Sequence, residues 1–88
     1  MRQLIYTAEF DAAVDALGGY RAVDRAMEAI IDGLYRNPYA FHKFENDFMS
    51  FRYALTKPID EMPSLVVVFN INQDKDVLLE HIEENPGY

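Results

Sequence analysis

An α+β fold of element order β-α-α-β-β-β is predicted, with a helical hairpin packed on one face of a small, mainly antiparallel four-stranded sheet. Three observations carry this expectation. Apolar residues recur at helical spacing between residues 8 and 36. Beyond residue 48 the chain turns to period-2 runs rich in aromatic and β-branched residues. Gly18-Gly19, Asn37-Pro38 and a loop bracketed by Pro58 and Pro63 punctuate the chain between these runs.

Each element has its own reason. RQLIYTA reads as a short strand, with Leu4 and Tyr6 on one face and Ile5 on the other. Thr7 is a candidate N-cap for the helix AEFDAAVDALGG, whose apolar face is Phe10, Val14 and Leu17. Glu9 and Asp11 suit the positive N-terminal end of that helix. Gly18 and Gly19 end it, because glycine enters the left-handed conformation at little cost. YRAVDRAMEAIIDGLYR forms the second helix, with Val23, Met27, Ile30, Ile31 and Leu34 as its stripe. Asn37-Pro38 stops it, since the residue before proline is pushed out of the helical region.

PYAFHKFEND has no clean period and reads as a connector. Residues 48–55 alternate, with Phe51, Tyr53 and Leu55 on one face and Ser50, Arg52 and Ala54 on the other. SLVVVFNI is apolar on both faces, as a central strand should be. After the turn NQDKD, VLLEHIEE is the last strand, with Val77, Leu79 and His81 on one face and Leu78, Glu80 and Ile82 on the other. The last three strands pair as a meander. The first joins an edge or an interior position that pattern alone leaves open.

Composition bounds the function. With 88 residues, one domain over 1–88 is expected. Half the residues are hydrophobic and 26% are charged, a globular balance. The absence of cysteine excludes disulfides, thiolate metal sites and a cysteine nucleophile. LVVVF is the longest apolar run, far short of the ~20 residues of a membrane helix. A cytoplasmic protein is therefore expected. The formal net charge of −7 repels polyanions at long range, so any phosphate-binding patch has to be local. Two histidines far apart in sequence do not make a metal site, and no phosphate-cradling loop is present, so no cofactor is expected.

YTAEFDAAVDAL, GLYRNPYAFHKF, FRYAL and then VVVFNI-turn-VLLEHI, in this order and over nearly the whole chain, resemble the RelE/ParE toxin superfamily of type II toxin–antitoxin modules. The resemblance implies a growth-inhibiting toxin neutralised by a cognate antitoxin, which binds as a helix in a groove and a strand on a sheet edge. It implies either ribosome-dependent mRNA cleavage or inhibition of DNA gyrase, and it leaves a homodimer open. It also places the helices on the face opposite Arg52, so that Arg52 lies on the open side of the sheet.

In the nuclease branch, a 2′-OH attacks the adjacent phosphate. A proton must move, and basic groups must stabilise the charge that builds. Arg52 matches the family's strand arginine, Tyr88 its C-terminal tyrosine, and His81 is a candidate acid or base. Where the family commonly carries a basic pair, this chain has Glu83, Glu84 and Asn85. Carboxylates there oppose phosphate chemistry, which motivates an alternative: a toxin-like interaction module without the basic active site. Arg52 also has a structural reading, as an ion-pair partner of Glu45, Asp47 or Glu80. Phe41, Phe44, Phe48, Phe51 and Tyr53 are read as core residues that anchor the connector under the helices.

Overall fold

The computed structural model describes residues 2–59 and 61–86. Strand β1 (Leu4–Tyr6) leads into helices α1 (Ala8–Ala16) and α2 (Tyr20–Arg36). A single 3-10 turn at Pro38–Ala40 follows. Strands β2 (His42–Glu45), β3 (Ser50–Leu55), β4 (Leu65–Ile71) and β5 (Val77–Glu84) complete the chain.

Thr7 caps α1 by accepting from the Phe10 N–H at 3.2 Å. Its hydroxyl also donates to the Leu79 carbonyl at 2.7 Å, so the cap fastens the helix to β5. Gly18 and Gly19 take φ of 109° and 93°, a region that L side chains rarely adopt. That break lets α2 start at once, so the chain reverses with almost no loop. At the far end of α2, Gly33 leaves room for the ring of Phe41: a Cβ there would lie 3.0 Å from it. Phe41 then meets Phe69 edge-on at 5.6 Å, which seats the connector against the sheet.

The sheet has five strands, not four, in the order β1-β5-β4-β3-β2. It is mixed: β1 runs parallel to β5 and the other pairs are antiparallel. The additional strand is β2, inside the stretch read as a connector. Its four residues are all exposed, so no buried side signals a strand. Helices α1 and α2 carry the chain from one edge of the sheet to the other across a single face. Between them and the sheet lies one core, in which Phe10, Val14, Leu34, Leu65, Phe69 and Leu79 are fully buried.

Two details correct the expected facing of side chains. In β3 it is Ala54, not Phe51 or Tyr53, that is buried under the helices, opposite Val67 of β4. Arg52 lies on that same helix-bearing face, opposite Phe69. In β5 the pairing slips by one residue between Val68 and Phe69: Phe69 faces Leu79 and Val68 faces His81. Glu80 is the extra residue of a β-bulge. Ile82 thereby joins Val77 and Leu79 in the core, and His81 turns to the open face.

Candidate functional site

Among the described residues, no helix or strand covers the face of the sheet away from the helices, and much of that face is apolar. Phe44, Phe51, Tyr53, Leu55, Val66 and Val68 line a shallow groove of about 470 Å³ on it. Alternation in β2, β3 and β4 sends every second side chain there. Two ring stacks pave one side: Phe44 on Phe51 at 5.0 Å and His42 on Tyr53 at 5.2 Å. Phe44 is 41% exposed and Leu55 48%, a large apolar display for so acidic a chain.

Charge on this face is sparse. Glu83 borders the groove, and His81 lies 3.7 Å from it. Glu80 accepts a hydrogen bond from Asn70. Among the described residues lining the groove there is no lysine or arginine. Apolar side chains or flat rings are therefore accommodated, while negative charge building on a phosphate would meet a carboxylate rather than a cation.

The candidate residues are not brought together. Arg52 is on the other face, at the margin of the helix layer. Its Nη1 donates to the carbonyls of Tyr39 at 3.1 Å and Phe41 at 3.3 Å, and its guanidinium lies 5.4 Å from the Tyr39 ring centre. These bonds clamp the turn after α2 onto β3, in place of the expected ion pair with Glu45, Asp47 or Glu80. A small cleft of about 200 Å³ next to it is lined by Tyr39, Lys43, Ser50 and Asn70 among others. Lys43 stands opposite Arg52 across the β2–β3 pair and contacts Glu45 at 3.3 Å. His81 is on the opposite face, and Tyr88 lies outside the described residues.

Some of the aromatic assignments change. Phe41 does anchor the connector, but Phe48 is 94% exposed and Phe44 faces the groove. The sequence assigns Phe44 to the core and gives Val66 and Val68 no site role. The available signal was the two-sided apolar character of SLVVVFNI, which fits a second buried face as well as an uncovered one. Among the described residues no group of three or more His, Asp or Glu could hold a metal ion, and no helix is long and apolar enough to cross a membrane. No protein-family model, curated protein or solved structure matches the chain.

Proposed function

We propose that the chain is the toxin component of a toxin–antitoxin pair, resembling RelE/ParE, and that it acts by docking to a protein target such as DNA gyrase. One observation supports the reading: among the described residues, a β-α-α-strand-meander domain leaves an apolar groove open on one sheet face. The cognate antitoxin, as an amphipathic segment, would cover this groove with its apolar side. Docking is preferred to mRNA cleavage because the groove is bordered by Glu83, while Arg52 is engaged with main-chain carbonyls on the other face.

Inducing the gene alone should arrest growth, and co-expressing the adjacent small open reading frame should restore it. Arrest should come with a DNA-damage response, leave ribosome-bound mRNA intact and survive Arg52→Ala and His81→Ala. Loss of mRNA cleavage in Arg52→Ala would instead establish the nuclease reading. A second reading, a non-toxic interaction module of the same fold, is favoured by the structural bonds of Arg52. It predicts no growth effect on induction, together with a copurifying partner that Phe51→Asp releases.

A further inference from the structure

Strand β2 is the last in the sheet, and its outer edge has a self-complementary pattern. The Asn46 N–H donates to the Met49 carbonyl, which makes 46 and 49 a hydrogen-bonded pair of the β2–β3 ladder. Antiparallel ladders alternate, so 44 with 51 and 42 with 53 are the next such pairs. The main-chain groups of Lys43 and Glu45 then point away from β3. The same alternation holds across β3, where the Thr56 N–H donates to Leu65 on the β4 side. All four residues of β2 are exposed, and among the described residues no further strand pairs with this edge.

We infer that β2 pairs with β2 of a second copy of this chain, antiparallel about a two-fold axis at Phe44, joining two sheets into one. In this register Lys43 stands opposite Glu45 of the second copy, and Glu45 opposite its Lys43. These are the residues whose N–H and C=O groups face outward, so both pairs close as hydrogen-bonded pairs. Both also bring opposite charges together on the helix-bearing face. Phe44 meets its own copy as a non-hydrogen-bonded pair, where side chains approach closest. The two grooves then join, with a continuous row of rings from one Phe51 to the other. A lysine on an edge strand ordinarily discourages pairing. Here the glutamate two residues on offsets it in this one register. The inference stands apart from the toxin reading.

A seam of four residues buries less than the about 1,200 Å² of a standard stable interface, so association should be concentration dependent. In sedimentation equilibrium of the full chain, the mass should rise from 10.2 kDa toward twice that value as concentration approaches about 1 mM. Lys43→Glu should raise the dimer dissociation constant about tenfold by placing like charges opposite each other twice. The swap Lys43→Glu with Glu45→Lys should restore it, while circular dichroism confirms that both variants fold. Because the chain has no cysteine, Phe44→Cys provides a direct probe of the axis. With oxidised glutathione it should form an interchain disulfide, since Cα atoms of such a pair are ~4.5 Å apart. Lys43→Cys should not. A mass that stays at 10.2 kDa throughout would overturn the inference, even if a foreign extended peptide binds β2. So would a dimer that ignores Lys43→Glu, or that forms without the Phe44→Cys link.

Discussion

The two faces of one sheet show what a covering layer does to the same kinds of residue. Under the helices, Leu65, Val67 and Phe69 are wholly buried, while Val66 and Val68, their neighbours in the same strand, stay partly open. Mean hydropathy hardly separates the two sets. The difference lies in what they meet: α1 and α2 on one side and, among the described residues, no helix on the other. Burial of the first set holds the domain together, and exposure of the second leaves it a surface to use.

The largest expected effect tests that contrast directly. Phe69→Ala should lower the unfolding free energy by about 3–5 kcal/mol, because it opens a cavity between sheet and helices. Val68→Ala, one residue away, should cost about 1 kcal/mol. Urea titration of both variants measures the asymmetry, and equal losses would mean that the open face is covered in solution. Arg52→Ala should cost ~1–2 kcal/mol through the lost clamp on Tyr39 and Phe41, and should loosen amide-exchange protection in β2 before β4.

Deleting Glu80 sharpens the comparison in the other direction. Without the extra residue, β5 pairs regularly with β4, His81 still opposes Val68 and Ile82 still opposes Val67. The cost should be only about 1 kcal/mol, from the lost bond to Asn70 and the altered twist. If Ile82 were instead placed by strict alternation, the deletion would throw it into water and the domain would unfold.

The smallest effect is a matter of pH. Partial burial and a hydrogen bond to the Asp11 carboxylate push the Tyr20 phenol far above its ordinary range. The folded state thus favours the protonated phenol. Its stabilisation is fully present below about pH 10, the unfolded value, and is lost as pH rises through the raised folded value. Tyr20→Phe should therefore cost at most about 1 kcal/mol at neutral pH and flatten the alkaline limb of a thermal-stability profile.

The helices were legible because their signals agree. Thr7, the glycine pair and Asn37-Pro38 mark ends that the 3.6-residue stripes also require. The strands were legible in position but not in facing. Phe51, Tyr53 and Leu55 are more apolar than Ser50, Arg52 and Ala54, so hydrophobicity points to the first set as core. Size decides otherwise: Ala54 is small enough to lie close under the helix layer, and Arg52 falls beyond its margin. The bulge at Glu80 leaves no local mark, since an extra residue shows only when both neighbouring strands are in place. Strand β2 is hidden because none of its four residues is buried in the core. The same gaps separate the candidate residues Arg52 and His81 onto opposite faces and leave the apolar groove of Phe44, Val66 and Val68 unforeseen.

Strand β5 is the last made and lies in the interior of the sheet, between β1 and β4. During synthesis, β1 with its two helices and the meander β2–β3–β4 are therefore two unfinished pieces. The first has no sheet to close, and the second has an open edge along β4. Both wait for residues 77–84, whose arrival supplies Leu79 for the Thr7 cap and Ile82 for the core. The five-stranded sheet is therefore continuous only when β5 is in place. The order of synthesis and the order of the sheet thus differ, and the sheet closes only once residues 77–84 have taken their place between β1 and β4.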